Sequence, residues 1–417
     1  LSTIVTRAVK GSPLSWSEAD ANFNNLNTDK VEKTSNLSDI SNAATARTNL
    51  GLAIGTNVQA YNANLTTLAA ATITAAGYAL LDDATAADQR TTLGAQASST
   101  LLDSLVNNTT LLSFRNKIIN GDFKIDVRNQ AASQTITAGA ALAYTLDRWY
   151  AYCTGANTTI QQISTSGEYR YRFTGLASVT GVGLGQRIEA DNCVDLAGKS
   201  ATLSCKLSST SLTSITWAAY YANSKDSFGT LASPTRTSIA SGTFTINTTE
   251  TRYSATMSVP AGATTGIEIV LSGGALLGSQ TLTIGDVQLE TGAVLTNYEV
   301  RPRALEELLC QRYQPGFVLT NGNTIGSGVA YSAVAGLVHV PFFIPTRTAV
   351  TGVTVTNTGM LTFIFGGYNS LTSNIVFGSG GTNGAYLSCT ISGATTGQGC
   401  IVNCNSTNRL IFTGAEL

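Results

Sequence analysis

"ATLSCKL", residues Ala201 to Leu207, decides how this chain is read. Ala201, Leu203, Cys205 and Leu207 alternate with Thr202, Ser204 and Lys206, so one side is apolar and the other wet at a period of two. That is the pattern of a half-buried strand, with Cys205 as a small buried hydrophobe. Tyr253, Ala255, Met257 and Val259 repeat it against Arg252, Ser254, Thr256 and Ser258, as do Ile215, Trp217, Ala219 and Tyr221. "TLTIGDVQLE" (281–290) shifts phase between Ile284 and Val287, which predicts a bulge at Gly285–Asp286. Strands of this kind, separated by Gly, Asn, Ser and Pro turns, predict a β-sandwich over residues 114–300.

Upstream, residues 1–113 read as helices and shaft. Ser15 and Glu18 form an S-x-x-E capping box, followed by Trp16, Ala19, Phe23 and Leu26 at coiled-coil spacing that is lost at Lys30. A seam this short does not hold a coiled coil alone, so it is expected to dock on other subunits or a larger partner. "LSDISNAATARTNLG" (37–51) returns as "LLDDATAADQRTTLG" (80–94), each copy with a polar cap, an Ala-Ala interior and a Leu-Gly stop. Two copies are too few for a solenoid, and the Ala/Thr-rich stretch between them has too few large apolar residues for a core of its own. Both predict a shaft element whose small side chains pack between chains.

Downstream, "RALEELLCQRYQ" (Arg303 to Gln314) predicts a short helix within a linking segment, 301–314. Leu305, Leu308 and Leu309 line one side, Glu306 and Glu307 come early and Arg312 late, the order a helix dipole favours. The leucines are expected at or near an axis between subunits. Residues 315–417 are strand-like again and carry only Arg347, Arg409 and Glu416 as charged groups, which predicts a distal β-rich tip. The fold class is therefore mainly β: an elongated modular fibre with short N-terminal helices and shaft, a central β-sandwich, a short linking helix and a distal β domain.

Composition narrows the function classes. Of 417 residues only 12% are charged, the formal charge is −1, and no Lys/Arg run exists, which argues against a nucleic-acid partner. Seven cysteines without a CxxC pair and a single histidine, His339, disfavour zinc, and free thiols from a reducing cytosol are expected. The longest apolar stretch is broken by His339, Pro341 and Pro345, so no membrane insertion is expected, and "LSTIVTRAVK" lacks the apolar region of a secretory signal. "GVGLGQ" (181–186) reads as a turn. Neither a cofactor nor a catalytic residue is assigned. Glu189 and Asp191 share one side of a predicted strand but read as a solvated face, and His339 reads as structural.

The pieces "TRAVKGSPLSWSEADANFNNLNTDK", "LSDISNAATARTNLG", "NVQAYNANLTTLA", "RNKIINGDF", "LDRWY", "QRIEADNCVDLAGKSATLSC", "TRYSATMSVP", "IGDVQLETG" and "RPRALEELLCQRYQ" together resemble the ordered landmarks of tailed-bacteriophage and prophage tail fibre proteins, over residues 1 to about 314. The distal "VHVPFFIPTRTAV" departs from the family strand, with Thr346 in place of Met. The resemblance implies a virion structural protein of the tail, assembled in the host cytoplasm. It implies a homotrimer held to the tail or baseplate through residues 1–113 and presenting its C-terminal region to a host-surface polysaccharide or lipopolysaccharide. The central segment is similar to carbohydrate-binding-module-like sandwiches, some of which bind sugar while others are spacers. Related "NGDF" openings imply a test of Asp122 and Asp286 for calcium, although no metal site is assigned.

Sugar recognition needs aromatic faces beside neutral donors and acceptors. In the sandwich, Trp149, Tyr150, Tyr152, Trp217, Tyr220 and Tyr221 are candidates; alternation sends both tryptophans to the core and leaves Tyr150 and Tyr220 for the surface. In the tip, Tyr331, Phe365, Tyr368, Phe377 and Tyr386 lie in or beside Gly/Asn/Ser-rich turns. The expected ligand contacts are Tyr150, Tyr220, Tyr331, Phe365, Tyr368 and Tyr386, and the expected subunit contacts Trp16, Phe23, Leu26, Leu305, Leu308 and Leu309. The main reading is a non-catalytic host-binding fibre; a collar or baseplate adaptor and a depolymerase tailspike are the alternatives.

Overall fold

A computed structural model describes residues 3–30, 40–52, 58–94, 114–139, 142–165 and 167–417. The chain divides into two compact units, Leu1–Ala97 and Ser98–Leu417. Residues 37–39 of the first repeat copy and the expected boundary at 113 lie outside the described residues.

Among the described residues the first unit has six short helices: α1 (Arg7–Lys10), α2 (Trp16–Asp29), α3 (Ala43–Asn49), α4 (Ala63–Ala70), α5 (Ala75–Leu81) and α6 (Ala86–Thr92). The Ser15/Glu18 capping box forms at the start of α2. The repeat copies cap in the same way, Asn42 accepting from Thr45 N–H and Thr85 from Asp88 N–H, and Gly51 and Gly94 follow in the left-handed conformation. Trp16, Phe23 and Leu26 of the α2 seam are exposed among the described residues.

The second unit is built on antiparallel sheets. Two six-stranded sheets face each other. The first has the order β1 (Gln134–Ile136), β4 (Thr158–Thr165), β5 (Glu168–Thr174), β12 (Thr281–Thr291), β7 (Ser200–Ser209), β10 (Thr251–Ser258). The second runs β2 (Ala143–Leu146), β3 (Trp149–Thr154), β6 (Gly181–Ile188), β11 (Ile267–Gly273), β8 (Ser214–Ala222), β9 (Arg236–Thr245). Ala201, Leu203, Cys205 and Leu207 all point into the shared core, against Ile215, Trp217, Ala219, Ile269 and Leu271 from the opposite sheet. The bulge in β12 falls between Gly285 and Gln288, as the phase shift requires. "GVGLGQ" proves to be strand β6 and not a turn: its glycines alternate with buried Val182 and Leu184.

The "NGDF" segment closes one end of this core. Asn120 adopts a positive φ and accepts from Ile125 N–H, its carbonyl accepts from the Trp149 indole, and the Phe123 ring packs 5.1 Å from Trp149. Asp122 pairs with Lys124, and Asp286 with Arg170 and Lys206. Glu189 and Asp191 are not on a strand. Glu189 precedes the short helix α7 (Ala190–Cys193) and is buried against Arg312 and Tyr313, while Asp191 pairs with exposed Lys225. The solvated-face expectation thus fails for Glu189, because its partners come from a segment over a hundred residues downstream.

Helix α8 spans Arg303–Gln311, shorter than expected, and its buried side is Glu306, Cys310 and Gln311. Glu306 accepts from Asn120 N–H and pairs with Arg301, whereas Leu305 and Leu309 are half-buried and Leu308 is exposed. Beyond it, a three-stranded sheet, β13 (Gly316–Leu319), β22 (Asn408–Thr413), β16 (Gly352–Val355), adjoins a seven-stranded one. The latter has the order β18 (Asn369–Leu371), β17 (Leu361–Ile364), β21 (Gly399–Cys404), β14 (Thr324–Ser332), β15 (Ala335–Pro341), β20 (Gly384–Thr390), β19 (Asn374–Gly380). Together they enclose a second core around Phe363, Leu387, Val402 and Phe412. All seven cysteines are free thiols, and no helix among the described residues is long and apolar enough to cross a membrane.

Charged groups tie the two cores together. Glu416 pairs with Arg128 and Arg148 of the sandwich, and the Arg148 guanidinium lies 3.5 Å above the Tyr313 ring. Tyr144 Oη and Arg187 both donate to the Leu417 carbonyl, and Arg409 donates to that of Arg128.

Candidate functional site

The outer side of the second sandwich sheet carries the arrangement that fits a saccharide. Period two sends Tyr150 and Tyr152 of β3 outward while Trp149, Ala151 and Cys153 enter the core. Across the ladder, Tyr150 faces Gly185 and Tyr152 faces Gly183. Each ring sits over its glycine: a β-carbon at Gly183 would collide with Cζ of Tyr152, and one at Gly185 with Cζ of Tyr150. The alternating glycines of β6 exist to seat these rings.

The Tyr152 row continues across the sheet as Gly183, Ser272, Thr216 and Thr243. The strands are ~4.8 Å apart, so the three hydroxyls step along at about the width of one pyranose ring. Tyr152 and Ser272 are half-buried, and Thr216 and Thr243 exposed. None of these three hydroxyls bonds to another group among the described residues, so all are open to a ligand. The next row runs Tyr150, Gly185, Val270, Ala218 and Ser241, with a dry Val270–Ala218 centre. A third row places Arg187, Glu268, Tyr220 and Ser238 side by side.

Charge gathers at that third row. Glu268 is wholly buried, takes Arg187 Nε and Tyr150 Oη at 2.8 Å each, and pairs with Arg236 at the start of β9. The Arg236 guanidinium lies 4.0 Å above the Tyr220 ring. Burial raises the Tyr152 phenol above its ordinary value, opposed by the nearby Arg236 charge, so Tyr152 stays a neutral hydroxyl at any physiological pH.

Of the predicted ligand contacts, Tyr220 belongs to this face, half-buried under Arg236. Tyr150 is on the correct side but not at the surface: Glu268 holds its hydroxyl, and Tyr144 packs edge-on at 6.1 Å. Alternation chooses a side of the sheet and says nothing of what covers it. In the distal domain Phe365 is buried, and half-buried Tyr368 has one face of its ring stacked on it at 4.8 Å. Tyr331 (70% exposed) and Tyr386 (51% exposed) are open but lie toward opposite ends of β15, Tyr386 beside His339. They do not converge. Sequence reasoning missed Gly183, Gly185, the hydroxyl row Ser272, Thr216 and Thr243, and the charged trio Arg187, Glu268 and Arg236; the one signal it could have used was the period-two spacing of glycines in "GVGLGQ".

Two clefts flank α8. One of 370 Å³ is lined by Phe114, Lys117, Asp195, Arg301 and Leu309, and one of 470 Å³ by Gln311, Phe317, Asn323, Pro341 and Phe343. Neither sets an aromatic ring in line with a row of unbonded hydroxyls. Among the described residues, no group of three His, Cys, Asp or Glu side chains is placed to hold a metal.

No family model matches the chain. No curated protein matches it either. Among solved structures it is similar to a putative sugar-binding protein from Bacteroides thetaiotaomicron VPI-5482, at 16% identity over 42% of this chain and 100% of that one, TM-score 0.29. It is also similar to a family 61 carbohydrate-binding module in complex with β-1,4-galactotriose, at 14% identity over 43% and 99%, TM-score 0.26. A third is the enzymatically active domain of tailspike protein 4 of bacteriophage CBA120, at 12% identity over 43% and 22%, TM-score 0.27.

Proposed function

We propose that this chain is a non-catalytic glycan-binding protein of a phage tail, a fibre component that contacts host-surface polysaccharide through the outer face of its sandwich. The observation that carries the reading is the Tyr152 ring seated on Gly183, in line with the unbonded hydroxyls of Ser272, Thr216 and Thr243. An aromatic face with neutral donors alongside is what a sugar ring needs, apolar C–H on one side and hydroxyls on the edge. The order of fibre landmarks along residues 1–314 supports the tail assignment. The exposed Trp16, Phe23 and Leu26 on α2 support assembly with further copies, as a homotrimer joined to the tail through residues 1–113.

Affinity electrophoresis of the whole chain through gels holding bacterial surface polysaccharides tests this. At least one polysaccharide should retard it, and Tyr152→Ala should weaken retention up to about tenfold, ~1.4 kcal/mol, the upper end of what an aromatic contact contributes. Retardation that survives Tyr152→Ala intact overturns this face as the site. One observation favours an adaptor fibre instead: Val376, Tyr386 and Ile401 form an exposed, uncharged outer face on the distal sheet, suited to packing against another protein. That reading expects no retardation by any polysaccharide. A tailspike depolymerase would release reducing sugar from a retained polysaccharide, and none is expected.

A further inference from the structure

We infer that the sandwich face selects saccharides carrying a carboxylate, through Arg236; this rests on the reading of that face as the glycan site. Two guanidiniums, Arg187 and Arg236, meet one buried carboxylate, Glu268, so the trio keeps one positive charge. The two arginines are not equivalent. Arg187, its side chain 8% exposed, is bound on every side: Nε to Glu268, one Nη to the Leu417 carbonyl and the other to the Gly229 carbonyl. Arg236 is 16% exposed and only one Nη is taken, by Glu268. Among the described residues its remaining N–H groups have no protein acceptor.

The surplus charge therefore sits at the rim, on Arg236. Tyr220 beneath the guanidinium fixes its plane. Arg236 and Tyr220 stand on the same outer face as Tyr152, two rows along, from Ser272 to Glu268 on β11, about 13 Å at ~3.3 Å per residue, which is a span of neighbouring units in one polymer chain. A planar guanidinium with free N–H groups on the same face as an aromatic platform matches a saccharide chain in which one ring stacks and a neighbouring one carries a planar carboxylate, which the guanidinium engages bidentately. A neutral sugar would leave those donors to water. The ligand class is a uronate or another carboxylated sugar in a polymer.

The test compares polygalacturonate with its methyl ester, alginate with dextran, and β-1,4-galactan as a neutral control, by affinity electrophoresis and titration calorimetry on the whole chain. The acids should bind at least tenfold more tightly than the ester and the neutral polymers, and the preference should shrink as salt rises. Arg236→Gln should bring acid binding down to the neutral level, while Arg236→Lys, which keeps the charge beside Glu268, should restore part of it. Melting curves of both variants separate loss of binding from loss of fold. If neutral and acidic polymers bind alike, the acid selectivity is wrong while the glycan face stands. If none of these polymers binds the intact chain, both fall.

Discussion

A β-carbon at Gly183 has nowhere to go but into the Tyr152 ring, so Gly183→Val should lift that ring off the strand. The expected cost is ~1–3 kcal/mol from overpacking, with loss of polysaccharide retention at temperatures where the fold persists. Thermal melts read beside affinity electrophoresis check both parts; full retention in the folded variant would refute the seat. Asp147 offers a test by pH. Burial pushes its carboxyl up from an ordinary 3.8 to about 6, even though it accepts Val127 and Arg128 N–H groups and faces the Arg128 charge. The folded chain thus holds this proton longer than the unfolded one. Its contribution is most favourable below about pH 4 and is lost as pH rises towards 6, by roughly 1–3 kcal/mol. Asp147→Asn keeps an acceptor for the amides, so its melting temperature should gain on the wild type between pH 4 and 6 and then run parallel; a constant difference would contradict the shift. At this scale the core was legible and the site only partly so. Trp149, Trp217 and Cys205 are buried as alternation requires, but Tyr150 follows the same alternation and is buried too, because Glu268 on a distant strand draws in its hydroxyl.

Capping chemistry is local, and that is why it could be read. Ser15 with Glu18, Asn42, and Thr85 with Asp88 all cap as their spacing predicts, since donor and acceptor lie within four residues. The bulge in β12 was legible for the same reason. Helix α8 was not. Its leucines outline an apolar stripe, yet Glu306 is the buried residue, its acceptor role fixed by Asn120, 186 positions earlier. Glu306→Leu should leave Arg301 buried without its helix partner and destabilise the unit by about 3–5 kcal/mol, read from urea unfolding. A change under ~1 kcal/mol would show that Glu299, which also pairs with Arg301, carries the charge alone. The outward Leu308 makes the opposite prediction. On the proposed homotrimer, Leu308→Asp together with Leu309→Asp should lower the mass measured by light scattering to that of one chain, 43.3 kDa, and an unchanged assembly would refute a leucine contact between subunits.

Only three charged residues, Arg347, Arg409 and Glu416, stand in the last hundred, and the sequence reads that stretch as a nearly uncharged distal tip. In the fold two of them reach the sandwich and the third braces the segment that does. Glu416 meets Arg128 and Arg148, Arg409 reaches the Arg128 carbonyl, and Arg347 holds the carbonyls of Ala415 and Glu416. Here the sparse charge of the block falls where it is fastened, which only the three-dimensional pairing reveals. Glu416→Ala should leave two guanidiniums without their acid, one of them wholly buried, and uncouple the two cores. Calorimetry should then resolve two transitions for residues 98–417 where the wild type shows one, and a single unshifted transition would refute the latch. The same fastening sets an order on biosynthesis. The last sandwich strand ends at Thr291, and Glu416 emerges some 125 residues later (416 − 291), on the order of 6–25 s at ribosomal speed. Through that interval a nascent sandwich holds Arg128 and Arg148 without their carboxylate, so its closing step waits for the ribosome to deliver Glu416.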